Sequence, residues 1–366
     1  MAEMTKKERV NAVLDGKEPD RVPVFPFILT QGVYECGWKL PDITTQTDSD
    51  AEKCAQTVIK TLEEYDYDLA LGSYMDCFYG VVPLGGTLHI PDKFGGIVSA
   101  AQYPVVNRSD WAQVKKKLPL DPWKEPRMAS VLKATKMVSD QIGEHTPIAS
   151  LWWAGPTAAM LMLRGPEPII MDMIEEPDFA IELIEAGNKF SIDFIRAQYQ
   201  AGANSLCMIG DVCGVELISP DMCEKFVLPY VAEIADTVMK EFGQKTWLHI
   251  HGDFTKPDTY PLIEKFIKEG HVHGFYLDEK HSAQWLKDNI VDKYHIPVSI
   301  PIHGPNLNSW SLDEIENFVK DGLAYAAPGG GVMVTPSCEI PADVPKENFH
   351  KWIDSTHKYG TYPISR

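Results

Sequence analysis

No apolar run in this 366-residue chain approaches the roughly 20 residues that a membrane-spanning helix requires. The stretch Met1–Arg9 is charged and polar and lacks the hydrophobic region of a signal peptide. Neither a membrane protein nor a secreted one is expected. Positive charge is in short supply: 34 basic residues face 52 acidic ones, for a net charge of −18. Such a surface repels polyanions on average, so nucleic acid and anionic membranes are not expected partners. Cysteines are few, odd in number and scattered (36, 54, 77, 207, 213, 223 and 338). That pattern points to reduced thiols in a cytoplasm, not to a disulfide framework. Internal repeats, low-complexity tracts and Gly/Ser linkers are also missing. No glycine-rich phosphate loop follows the first predicted strand, and Gly329-Gly330-Gly331 precedes a strand, where it reads as a turn. What is left is a globular chain with 44% hydrophobic residues, able to bury a large core and to act on a small molecule or another protein.

Short β-rich runs alternate with longer helical ones. The pattern predicts strands over 22–28, 68–73, 147–153, 205–210, 246–251, 274–277, 298–302 and 331–335. Helices are predicted over 5–15, 50–64, 109–117, 126–142, 156–175, 178–201, from Ser219-Pro220 onward, and over 258–269, 283–290, 312–322 and 346–358. The segment 78–105, with Gly85-Gly86 and Gly95-Gly96 between apolar runs, reads as a β-hairpin excursion. Eight strands mostly followed by helices predict an α/β fold, a single decorated (β/α)8 TIM barrel over 1–366, with N-terminal helical and β-hairpin additions.

In such a barrel the chemistry gathers at the C-terminal ends of the strands. Reactive side chains fall there: Asp211, with Cys213 and Glu216 just beyond; His249 and His251; Asp278; His303; and Cys338. His249-Ile250-His251 holds two imidazoles two residues apart on one strand, hence on one side. With Cys338 they predict a zinc site of three protein ligands and an open coordination position. Asp211 and Asp278 are candidate general acids. Glu216 is a candidate exchangeable ligand or catalytic acid, and Asp253 a candidate for holding a histidine tautomer. Aromatic residues crowd the ends of the first three strands, and Phe27, Tyr34, Tyr74, Trp152 and Trp153 are candidates for binding substrate, as is His303 at the end of the seventh strand. The other histidines at 271, 273, 281, 295, 350 and 357 read as surface or helix-end residues, and Cys207 and Cys223 as packing.

Several segments carry a family likeness. Thr5-Lys6-Lys7-Glu8-Arg9 through Asp20-Arg21-Val22-Pro23-Val24, Leu217-Ile218-Ser219-Pro220 with Phe226–Tyr230, and His249–Asp253 are three of them. The others are Gly330–Pro341, Pro345–Asn348 and Tyr359–Pro363. Together they resemble the uroporphyrinogen decarboxylase superfamily, specifically its cobamide-dependent methyltransferase branch. The resemblance implies a barrel, a zinc ion, and a corrinoid carried by a partner protein. Two departures shape the expectation. True decarboxylases carry an arginine-rich segment after the first strand, whereas Phe25–Trp38 here is aromatic and has no basic residue. Thiol-methylating members have His-x-Cys where this chain has His249-x-His251.

Two imidazoles and one thiolate leave zinc with net positive charge, which favours activation of a neutral oxygen; a second thiolate would neutralise it and suit a sulfur substrate. The sequence therefore predicts an O-demethylase component. It would take methyl from a small-molecule methyl donor, an aromatic methyl ether, to the cobalt(I) corrinoid of a corrinoid-binding protein. The alternative enzyme moves methyl from methylcobamide to a thiol such as coenzyme M, and a further alternative is a non-catalytic barrel subunit. Monomer and homodimer both stay open.

Overall fold

The computed structural model describes residues 3–364. The described residues contain nine strands: β1 (Ala70–Leu71), β2 (Thr87–His89), β3 (Ser99–Gln102), β4 (Ile148–Trp153), β5 (Cys207–Asp211), β6 (Thr246–Ile250), β7 (Gly274–Leu277), β8 (Val298–Ile302) and β9 (Val332–Pro336). β2 and β3 pair antiparallel in a separate hairpin, as the glycine pairs foretold. The other seven form one parallel sheet in the order β1-β4-β5-β6-β7-β8-β9. Every residue of these seven strands is buried. That is why they read as continuous apolar runs: helices cover one face and the barrel interior the other.

Seven strands do not close the ring. The missing position is filled by residues 23–25, in a segment expected to be a full strand. Only Val24 forms a bridge, parallel to Val334. Phe25 N donates to Val334 O (2.9 Å) and Val334 N to Pro23 O (3.0 Å), while on the other flank Asp68 N donates to Val24 O (2.9 Å). The prolines set this limit. Pro23 and Pro26 have no N–H, so the ladder cannot extend in either direction. The chain then turns sharply at Phe27, whose φ of 45° is left-handed and costs a non-glycine residue about 1–3 kcal/mol. The result is a TIM-barrel-like α/β fold with one irregular stave.

The predicted helices are present, with shifted ends in several cases. Lys6–Leu14 starts at a reciprocal cap between Thr5 and Glu8. Pro177–Ala201 is the long helix, and Phe190 and Phe194 on its inner face pack on Trp152 at 5.9 and 4.6 Å between ring centroids. Two short helices, Thr30–Glu35 and Leu40–Ile43, were not expected, because four to six residues are too few to show a period. At the barrel's base, Arg9 binds Asp20 (2.6 Å) and Asp68 (2.7 Å), and Arg21 binds the other oxygen of Asp68 (2.6 Å). The basic and acidic residues of the opening segment thus tie its helix to the irregular stave.

Candidate metal centre and adjoining cavity

β6 delivers His249, and His251 follows one residue past its end. Their rings lie on the same side with centroids 4.7 Å apart. Parallel register sets His249 opposite Tyr276 of β7. His249 Nδ1 lies 3.1 Å from Tyr276 O. A carbonyl oxygen only accepts, so Nδ1 carries the proton and Nε2 presents its lone pair. Nε2 of both His249 and His251 is buried without a hydrogen-bond partner among the described residues. Burial, aided by neighbouring His251, lowers His249 to about 3, and burial also lowers His251. Both rings are therefore neutral near pH 7, the form that binds metal.

Cys338 arrives from the turn after β9. Ser337 N donates to Ile302 O (2.7 Å), fixing that turn to β8. The Tyr276 hydroxyl donates to Cys338 O (3.2 Å). One tyrosine thus orients both halves of the group, through its carbonyl and through its hydroxyl. The ligating atoms of His249, His251 and Cys338 all lie within 4.8 Å of one another. Burial pushes the Cys338 thiol up to about 12, so it is protonated in the metal-free chain. Two orphaned imidazole nitrogens and one thiol are a donor set that fits zinc.

Two glycines make room for this corner. A Cβ on Gly214 would lie 1.7 Å from His251 O, and Gly252, at φ 134°, would drive a Cβ to 2.4 Å from Val215. Gly252 N donates to Asp278 Oδ2 (2.9 Å). Burial opposes ionisation of Asp278, but hydrogen bonds from His281, Gly252 and Lys280 outweigh it and hold the carboxylate below its ordinary range. Its charge acts on His251 in turn. His281, expected as a surface or helix-end residue, stands just before the Ser282 cap and is buried, with Nδ1 3.4 Å from Asp278 Oδ1 and Nε2 accepting from Phe254 N (3.1 Å). Asp253 does not set a histidine tautomer. It accepts from Thr255 N and Oγ1 (2.9 and 2.6 Å), and Tyr276 O performs the expected task.

The other expected acids stand apart. Glu216 is exposed and paired with Lys280 (2.9 Å). Asp211 is fully buried at the end of β5. Its Oδ1 accepts from Thr157 Oγ1 and Cys213 N (both 2.7 Å), and its Oδ2 has no partner among the described residues. Burial raises its carboxyl to about 7.

A cavity of about 230 Å³ opens against Cys338. Phe27, Tyr74 and Trp153 of the expected aromatic set line it. Trp152, Tyr34 and His303 are not among its lining residues. Trp152 faces the helix layer because strand side chains alternate. The Tyr34 hydroxyl donates to Lys93 O (3.1 Å) and lies close to Gly96 O (3.2 Å), clasping the β2–β3 connection. His303 lies 3.7 Å from Glu279. Sequence reasoning missed Cys77, Val98, Leu161 and Glu339 on the cavity wall. It also missed Tyr276, whose place opposite His249 follows once the two strands are paired.

The family model for uroporphyrinogen decarboxylase matches residues 5–359. The Methylcobamide:CoM methyltransferase MtbA of Methanosarcina acetivorans is 24% identical, over 98% of this chain and 99% of that protein. The enzyme of the same name from Methanosarcina mazei is 27% identical over the same shares. A solved methyltransferase structure from Methanosarcina mazei superimposes with a TM-score of 0.80 at 22% identity, covering 98% of this chain and 99% of that one. With a family model that matches almost its whole length, the chain belongs to the uroporphyrinogen decarboxylase family.

Proposed function

We propose that this chain is a corrinoid-dependent methyltransferase whose substrate is activated at a zinc ion held by His249, His251 and Cys338. The observation that carries the reading is the pair of buried, unpartnered imidazole nitrogens beside the Cys338 thiol. A buried polar atom with no partner costs about 1–3 kcal/mol, and a ligand role explains why two persist side by side. When bound, zinc supplies Lewis acidity that favours the deprotonated form of a thiol or alcohol. The chain's own part is positional. Tyr276 fixes the His249 tautomer and the Cys338 backbone. Asp278 adds negative charge next to His251. The cavity beside Cys338 holds the small substrate away from water, and the corrinoid belongs to a separate protein.

Of the two directions, transfer from methylcobamide to a thiol has the better support, because the relatives that align over 98% of the chain carry that activity in their names. The net change is methylcobamide plus thiol giving reduced cobamide, a methyl thioether and a proton. O-demethylation, the expectation from sequence, has one observation in its favour, the imidazole of His251 in place of a second thiolate.

The test is zinc-loaded protein incubated with methylcobalamin and a panel of thiols, followed by the cobalamin spectrum, and with reduced cobalamin and aryl methyl ethers. The expected result is thiol-dependent demethylation of methylcobalamin that is lost in Cys338→Ala. Methylation of reduced cobalamin by an ether alone reverses the direction. No transfer in either arm refutes the proposal.

A further inference from the structure

The cavity against Cys338 is short of cations. Its lining includes Phe27, Tyr74, Phe78, Val98, Leu161 and Trp153, and no lysine, arginine or histidine. Its two ionisable acids, Asp76 and Glu339, are both carboxylic. Arg127, ion-paired with Asp76 inside the core with its charge over the Tyr79 ring at 5.0 Å, is not part of the lining. Glu339 accepts from Thr30 N (2.7 Å), which ties its carboxyl to the wall. An anionic head group entering this space would lose its hydration and, among the described residues of the lining, find no cationic side chain to pair with, inside a chain of net charge −18. The volume, about 230 Å³, falls below the ~300–1,000 Å³ typical of drug-sized ligands and suits a single ring or a short chain.

We infer that the thiol accepted at this site is small, uncharged and apolar, of single-ring size, and that thiols bearing a sulfonate or carboxylate are turned away. The inference rests on the reading that the reacting sulfur sits beside His249, His251 and Cys338. It separates this chain from what its relatives' names imply, since coenzyme M is 2-mercaptoethanesulfonate. The wall sets the specificity. Phe27, Tyr74 and Trp153 offer ring faces and edges to an apolar body, and the described wall supplies no cation to hold an anion.

The test uses a matched set of probes: phenylmethanethiol, 4-(mercaptomethyl)benzoate and 2-mercaptoethanesulfonate. Their binding to the zinc-loaded protein is measured by calorimetry, which does not depend on methyl transfer. Phenylmethanethiol is expected to bind at least about tenfold more tightly than either anion, and the ranking of kcat/KM from methylcobalamin is expected to follow. Ile97 is 59% exposed at the cavity rim, so Ile97→Lys should leave the fold intact. The variant brings an ammonium to the entrance and is expected to narrow the preference at least about threefold. Equal or tighter binding of an anion by the wild type overturns the inference, as does absence of binding by all three thiols. If the binding preference holds but no thiol receives methyl, the cavity's selectivity stands and the methyltransferase reading fails.

Discussion

Replacing His249 by leucine, a residue of similar volume, separates a metal ligand from a core histidine. In the metal-free protein the variant loses one hydrogen bond, to Tyr276 O, worth about 1 kcal/mol, and ring contacts with Tyr276 (4.2 Å) and Phe27 (5.8 Å), worth about 0.5–1.5 kcal/mol each. It also removes the buried, unpartnered Nε2, which costs the native fold about 1–3 kcal/mol. The terms nearly cancel, so the stability of EDTA-treated protein should change by no more than about 2 kcal/mol. The response to zinc should change far more. At a thousandfold excess over Kd, a ligand specific to the folded state stabilises it by about 4 kcal/mol. In His249→Leu most of that increment should vanish, and bound zinc should fall below one per chain. Denaturant unfolding with and without zinc, with metal analysis of the dialysed protein, reads both quantities. Unchanged zinc content with full zinc-dependent stabilisation would refute the ligand role. A loss above about 4 kcal/mol in the metal-free protein would show that the histidine is there for packing.

Three further outcomes follow from the same geometry. In the metal-free chain the two imidazoles are already neutral at pH 7 and only the Cys338 thiol, raised to about 12, holds a proton that zinc must displace. Zinc binding should therefore release one proton, and affinity measured against a chelator should rise about tenfold per pH unit between pH 6.5 and 8.5; a slope of zero would contradict the assignment. Gly214→Ala sets a methyl against His251 O and should weaken zinc affinity by about 10–100-fold with little change in the far-ultraviolet circular dichroism; unchanged affinity would show that this corner is compliant. Asp211, raised to about 7 by burial, binds its proton more tightly in the folded than in the unfolded chain. Its contribution to stability is present below pH 4 and is lost as the pH climbs to 7, so Asp211→Asn should flatten the fall in stability over that window; an identical pH profile would place the carboxyl in contact with water.

The alternation of buried strands and helices was legible in the chain because a parallel barrel buries both faces of its strands, leaving long apolar runs that the turns punctuate. The first strand was overread. Val22–Ile28 is apolar enough, but Pro23 and Pro26 remove donors, and only Val24 makes a bridge. The three candidate ligands come together because a shared strand face fixes His249 relative to His251 and a circular sheet brings β9 round toward β6. The cavity was only half legible. Phe27, Tyr74 and Trp153 were identifiable as aromatic strand ends, yet telling Trp153 from Trp152 needs the strand's phase, and one residue's shift turns a side chain from the interior to the helix layer. Asp211 and Asp278 are both acids at strand ends; burial wins over the donors Thr157 and Cys213 at the first, and the donors Gly252 and His281 win over burial at the second, a balance hidden in the sequence because Thr157 and Gly252 lie 54 and 26 residues from their acids.

The irregular stave at 23–25 has a consequence for how the molecule opens. A barrel with seven regular strands and one held by a single bridge has a seam, and the lowest-energy opening of such a ring is expected along it. Phe27 and Cys338 flank that seam, one just past the stave and one just past β9, while His249 and His251 stand on the continuous side. An ion bound to His249, His251 and Cys338 would tie β6 to β9, steadying one bank of the seam and leaving the gap itself unbridged. Amide protons of Phe25 and Val334, whose bonds cross the seam, should then exchange faster than those of β5 and β6 whether or not metal is bound.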